Sequence, residues 1–459
     1  MRNHKEAGTG RRPSGREALT GLAAAGLLLL TGCDLGVRNP AMIDEGDLEI
    51  SGAVPAIVNG ARGAFGLATT IFGGGGVYTA SALLTDELVH TGTWQPLREI
   101  SDGAPNNESP ENQSHWGYSS QARWQAEDAI VKAQRLVQNP AQDRWVALAA
   151  VYAGFSNRLM GDMFCDAVIN GGPLQPYTAF HQRSVQYFTD ALAIAAAGNH
   201  AELQTASLAG RAQARMMLGQ WMEAVADAQQ VPTSFRYEHI HSENSPNEMN
   251  GLFRWSGEGF EGNQTTVWGT PFAEWGTEVT GRVTSEGDPR VRYQVAVTAT
   301  GAIRQGGDNR RPLWFTRKYA DRSAGIPLAK GTEMRLIEAE AALRNNDISG
   351  AVGRINEVRA FHSLPSVSAG TVDEAWVLLM KERGIELWLE GRRLPDLRRW
   401  AAEPAIAARV PFQVVRGVAT GQTAAADPRR NVVEATPLCL RVSTNEIFSN
   451  PNLQNNPPR

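Results

Sequence analysis

The sequence lacks most of the motifs by which chemistry declares itself. Three cysteines leave no Cys-x-x-Cys pair, and eight histidines include no His-Glu-x-x-His, so zinc has no signature. No Gly-x-Ser-x-Gly elbow occurs, which removes one common serine-hydrolase arrangement. The glycine run ending at Gly76 has no Lys-Ser or Lys-Thr behind it, so it is a flexible loop rather than a phosphate cradle. Charge of one sign is also missing. Lysine and arginine number 44 against 48 acidic residues, a formal net charge of −4, and nucleic acid has no electrostatic case. Nor does any apolar run approach the ~20 residues of a membrane-spanning helix.

What is present begins with a leader. Arg2, Lys5, Arg11, Arg12 and Arg16 form a basic start, and Leu22 to Leu30 is an apolar run too short to cross a bilayer. It ends in Leu30-Thr-Gly-Cys33, which resembles the bacterial lipobox. That resemblance implies cleavage after residue 32 and lipid attachment at Cys33, which anchors the chain to a membrane leaflet through several acyl chains. The leader carries five basic and two acidic residues, so its removal takes the formal charge from −4 to −7. Residues 33–52 read as a tether. An exported compartment permits disulfides, and Cys165 and Cys439 are the two cysteines left to pair.

The body reads as mainly α. Residues 53–231 carry helical spacing, with helix pairs expected at 116–160 and 184–230 and a tight turn at Gly219. Residues 331–459 resume it with a pair over 332–361, where Ala339 and Ala351 allow close approach. This is the helix–turn–helix pattern of tetratricopeptide-like repeats, unevenly spaced and therefore a scaffold with insertions. Thr371 and Glu374 form a capping box for the longest periodic segment, expected to run as one helix until Pro395 stops it. Glu382, Glu386 and Glu390 share one of its faces, with Arg383, Arg392 and Arg393 placed to neutralise them. Between 232 and 330 the periodicity vanishes. Single aromatics and alternations such as Val291 to Val297 suggest short strands in a functional insertion.

The segment from Lys381 reads Lys-Glu-Arg-Gly-Ile-Glu-Leu-Trp-Leu-Glu-Gly-Arg-Arg393, then Leu394-Pro-Asp-Leu-Arg-Arg-Trp400. It resembles the C-terminal signature of the SusD/RagB family of outer-membrane nutrient-binding lipoproteins. Arg335 to Ala341, Ile355 to Arg359 and the Asn-Pro-rich end from Asn445 to Asn456 resemble the same family. The resemblance implies a lipoprotein of the outer membrane facing the cell surface. It implies a protein that caps a TonB-dependent β-barrel transporter and delivers glycans or peptides into it, without catalysis or a cofactor. The middle of the chain carries no such match.

Tryptophan then becomes the informative residue, with twelve in the chain. Trp124, Trp145, Trp221, Trp376 and Trp388 fall on helical segments and read as core. Trp94, Trp116, Trp255, Trp268, Trp275 and Trp314 fall in or beside loops, where an indole face can stack on a sugar ring. The first five of these form the candidate ligand platform, though pinning loops to the scaffold accounts for many loop tryptophans. Glu87-Leu-Val-His90 and Glu238-His-Ile-His241 have the Glu-x-x-His spacing of di-metal bundles but lack the further glutamates, so no metal is expected.

Three classes compete: a lipid-anchored binding subunit of an uptake system, a secreted glycan hydrolase, and a tetratricopeptide-type assembly protein. The irregular insertion argues against the third. Missing motifs weigh only weakly against the second, because glycosidase carboxylates are paired in space rather than in sequence.

Overall fold

The structure, a computed structural model, describes residues 49–70, 76–257, 261–282, 287–408, 438–454 and 457–458. The leader, Cys33, the tether to residue 48 and most of the glycine run lie outside the described residues.

Helices α1 (Val54–Thr70) and α2 (Gly76–Leu84) lead to strand β1 (Val89–His90) and helix α3 (Gln95–Ser101). Helix α2 ends at Leu84, and His90 lies in strand β1. Then α4 (Pro110–Leu136) starts at Ser109, whose side chain accepts the Asn112 N–H, with Pro110 at the position where its missing N–H costs nothing. Helix α5 (Arg144–Met163) is capped by Asp143 and buried along its length from Val146 to Met163, which makes it the central helix. Strands β2 (Asp166–Ala167) and β3 (Gln175–Pro176) precede α6 (Thr178–Ala197), α7 (Ala201–Met217) and α8 (Trp221–Ala228). Gly219, between the last two, adopts φ +72°, which suits a residue without Cβ.

The insertion follows: β4 (Arg236–His239), α9 (Gly251–Ser256), β5 (Thr265–Thr266), α10 (Pro271–Trp275), β6 (Gly276–Glu278), β7 (Asp288–Val295), β8 (Trp314–Thr316) and β9 (Ile326–Lys330). Its two ends meet, because β4 pairs antiparallel with β9. The scaffold can therefore continue as if uninterrupted. Helix α8 packs on α11 (Gly331–Arg344), which packs on α12 (Ile348–Phe361). Ala339 and Ala351 are buried at that contact. In β7, Val291, Tyr293 and Val295 point inward while Arg292 is exposed, the alternation of a one-faced strand.

Last come α13 (Val372–Glu386), α14 (Arg393–Ala401), α15 (Pro404–Ala407), α16 (Thr444–Ser449) and α17 (Pro451–Gln454). The capping box at Thr371 and Glu374 is formed. The single long helix is not. Helix α13 stops at Glu386, and Leu389 and Gly391 take φ +57° and +69° to reverse the chain. A Cβ on Gly391 would lie 2.5 Å from the Tyr78 ring, so glycine is required twice over. Pro395 does not end a helix; it sits in the first turn of α14, where its missing N–H would have had no intrahelical acceptor.

The glutamate face is neutralised from elsewhere than expected. Glu382 meets Arg290 at 2.6 Å and Arg359 at 3.1 Å. Lys330 lies 3.1 Å from Glu386 and 3.0 Å from Glu390, and Lys318 lies 2.8 Å from Glu390. Arg383 instead grips Asp396, and Arg393 grips Asp86. Arg290, Lys318 and Lys330 all belong to the insertion, so three buried carboxylates, two on α13 and Glu390 in the turn after it, bind it to the C-terminal region.

Cys165 and Cys439 lie with Cα atoms 5.0 Å apart and sulfurs at bonding distance. Beside them Cys165 N–H donates to Leu440 and Leu440 N–H to Met163, which fixes the tail on α5. Among the described residues no helix is long and apolar enough to cross a membrane.

Candidate functional site

Three polar loops are laced together at one edge of the insertion. Strand β1 pairs with β5, and beyond it Thr91 N–H donates to the Gln264 carbonyl at 2.8 Å. Gly307 N–H donates to Asn263, and Asp308 N–H to Thr91. The approach is close at two glycines. A Cβ at Gly92 would lie 1.9 Å from Gln264 Oε1, and one at Gly306 would lie 1.8 Å from Thr91 Oγ1.

Asp308 is the electrostatic centre of this junction. Its carboxylate lies 3.8 Å from Arg98 and 3.3 Å from Arg311, and it accepts the Thr91 hydroxyl. Arg98 also donates to the Gly92 carbonyl at 2.9 Å, and Arg311 to the His90 carbonyl at 3.1 Å. At the margin stands Trp94, 49% exposed, its indole N–H donating to Glu111 of α4. The ring is held at its polar edge while about half of the residue stays accessible. Half-buried Asn263 and Gln264 flank the junction. Such a surface can stack a sugar ring and hydrogen-bond its hydroxyls. Its two carboxylates already accept hydrogen bonds from Trp94, Thr91 and Arg311.

Among the described residues no ring contact joins any two of the five tryptophans. Trp116 must be corrected: it lies on α4, 3% exposed, edge-on to Phe164, with its N–H 3.3 Å from Glu446. No face is left for a ligand. Trp255 in α9 and Trp268 after β5 are half-buried. Trp275 ends α10, edge-on to Phe272, with the Lys381 ammonium 5.6 Å from its ring centre. It lines a separate cleft of about 680 Å³ with Arg359, Leu378 and Ile385. The core set also needs one correction, since Trp124 is 53% exposed on α4. Trp376 and Trp388 are buried, and Trp314 stacks flat on Tyr293.

Arg98, Asn263, Gln264, Asp308 and Arg311 were not singled out from sequence. They come from helix α3 and two distant loops with no shared spacing, and only Gly92 and Gly306 hint at a close approach.

Glu87 and His90 serve structure. Burial, then Arg98 and Arg311, push His90 down to about 3. Glu87 accepts the Leu389 N–H at 2.6 Å inside the core. Among the described residues no cluster of three or more histidine, cysteine or acidic side chains could hold a metal ion.

A helical stack bearing a loop-built surface is the class this architecture defines. Residues 265–458 match the SusD family. Solved structures share the fold over nearly their whole length. A SusD-like carbohydrate binding protein from Bacteroides fragilis is 16% identical, with a TM-score of 0.64 over 88% of this chain and 99% of its own. Another from Bacteroides vulgatus is 14% identical, with 0.58 over 89% and 98%. A SusD superfamily protein from Bacteroides thetaiotaomicron is 12% identical, with 0.60 over 88% and 98%. The C-terminal part of the chain is therefore similar to the SusD family, and the described residues share the fold of these solved structures. No curated protein matches the sequence.

Proposed function

We propose that this chain is a non-catalytic glycan-binding lipoprotein of an outer-membrane uptake system. It captures oligosaccharide at the Trp94 surface and passes it to a TonB-dependent β-barrel transporter. Lipid on Cys33 holds it in the outer membrane, facing outward. The observation that carries the reading is Trp94 itself, a half-exposed indole fixed by Glu111 beside a polar junction built from three loops. Two of the structural relatives are carbohydrate-binding proteins by name, which favours glycan over peptide. Trp268 and Trp275 are half-buried, and Trp275 lines the separate cleft.

The test is calorimetric titration of the mature protein with a panel of oligosaccharides. At least one should bind, and Trp94→Ala should weaken it about tenfold, the loss of roughly 1.4 kcal/mol, while helical circular dichroism stays unchanged. In cells, Cys33→Ser should abolish palmitate labelling. Hydrolysis of a bound glycan by the purified protein would move it to the enzyme class. Unaltered glycan binding by Trp94→Ala would relocate the site.

A further inference from the structure

The C-terminal tail contributes no residue to that junction, yet it is tied to the turn of helix that holds Trp94. Glu111, which accepts the Trp94 indole N–H, is the second residue of α4 and 5% exposed. The two residues after it bond to the tail. The Asn112 amide donates to the Arg441 carbonyl at 3.2 Å, and the Gln113 amide donates to the Thr444 hydroxyl. In return Asn445 N–H donates to Gln113 Oε1 at 3.1 Å. One turn on, Trp116 Nε1 lies 3.3 Å from Glu446 of α16.

Both amides also reach back toward Trp94 along the chain. Gln113 Nε2 lies 3.1 Å and Asn112 Nδ2 3.4 Å from the Asn107 carbonyl, in the loop that joins α3 to α4. The tail therefore holds the first turn of α4 together with the loop before it. It has a footing of its own: Leu440 N–H bonds to Met163 of α5, and Asn450 donates to the Gly172 carbonyl at 3.0 Å. Glu111 and Gln113 stand two apart on the helix, so their side chains point to different sides. Glu111 Oε2 is buried with no hydrogen-bond partner among the described residues, so the place of this carboxylate follows the backbone of that turn.

We propose that the C-terminal tail positions Trp94 for its ligand, acting through Gln113 on the first turn of α4 and so on Glu111. The proposal rests on the reading of Trp94 as the capture surface. A ring held in place beforehand has less freedom to lose when a ligand covers it, so a released ring binds more weakly. Gln113 is in this sense a positioning residue and touches no ligand itself.

The Trp94 indole N–H reports this without any ligand. In protein carrying isotope-labelled tryptophan, its nuclear magnetic resonance signal is the one lost in Trp94→Phe. Its exchange with water should quicken about tenfold in Glu111→Ala, the loss of one hydrogen bond to a charged acceptor. Gln113→Ala should quicken it several-fold. Gln113→Glu, which keeps an acceptor for the Asn445 N–H and the Thr444 hydroxyl, should restore most of the protection. Gln113→Ala should also weaken the oligosaccharide identified by the panel about fivefold. If Gln113→Ala fails to fold, Thr444→Val replaces it, removing the hydroxyl from the tail side. Unchanged exchange in these variants, whatever their melting temperature, overturns the proposal, as does faster exchange with no loss of affinity. A panel in which no sugar binds would end the reading of Trp94, while the resonance would still decide whether the tail positions it.

Discussion

Arg290 of strand β7 reaches Glu382 of helix α13 at 2.6 Å, and the same nitrogen lies 3.0 Å from Glu386. The rest of its guanidinium grips Asp288 at 2.7 and 2.9 Å. One nearly buried cation therefore serves three carboxylates, two from the signature helix and one from the insertion. Burial opposes its charge, but these carboxylates more than offset that and raise its pKa. Removing one member of a buried ion network leaves the others desolvated and unpaired, which costs about 3–5 kcal/mol. Arg290→Met should therefore lower stability to chemical denaturant by that order. Arg290→Lys should recover part of it, since a point charge cannot grip several carboxylates at once. Equal midpoints for Arg290→Met and the parent would mean that the insertion docks without this network.

The same contact shows how far a sequence can be read. The face shared by Glu382 and Glu386 was legible, because helical spacing is a local property, whereas Glu390 falls in the turn after α13. The partners were not, since Arg290, Lys318 and Lys330 come from up to 96 residues away. The nearby arginines looked better placed, but Leu389 and Gly391 reverse the chain and send Arg393 to Asp86. The capping box at Thr371 was readable for the same local reason. For tryptophan, a loop or helix assignment does not fix exposure, so Trp116 proved buried and Trp124 exposed. The Trp94 junction is built from residues as far apart as Arg98 and Asp308, and no spacing rule links them.

Cys165 and Cys439 are separated by 274 residues, so a bond between them restricts most of the unfolded chain. On loop-closure grounds such a bond contributes up to about 5 kcal/mol, less whatever residual structure the unfolded chain keeps. Backbone hydrogen bonds from Cys165 to Leu440 and from Leu440 to Met163 hold the tail in place without it. Reduction should accordingly lower the melting temperature while leaving helical circular dichroism at room temperature intact. Both thiols should react with iodoacetamide only after reduction. Alkylation of the native, unreduced protein would show that the bond does not form.

Glu87 ties stability to pH in the direction opposite to most carboxylates. It is fully buried, and burial pushes it up to about 8 despite the Leu389 N–H donated to it; Asp86 pushes it further up. Its ordinary value is about 4.3. The folded protein therefore prefers the neutral acid. Stability from this group is fully present below pH ~4 and is lost as pH rises through about 8, because the unfolded chain releases the proton first. Glu87→Gln keeps the acceptor for Leu389 and carries no proton to lose. It should match the parent near pH 4.5 and exceed it by a few kcal/mol, as an order of magnitude, at pH 8. Thermal melts of both proteins across that range would show a gap that widens with pH. A gap of constant size would mean that Glu87 stays ionised in the core, neutralised by Arg393, whose guanidinium already grips Asp86 next to it.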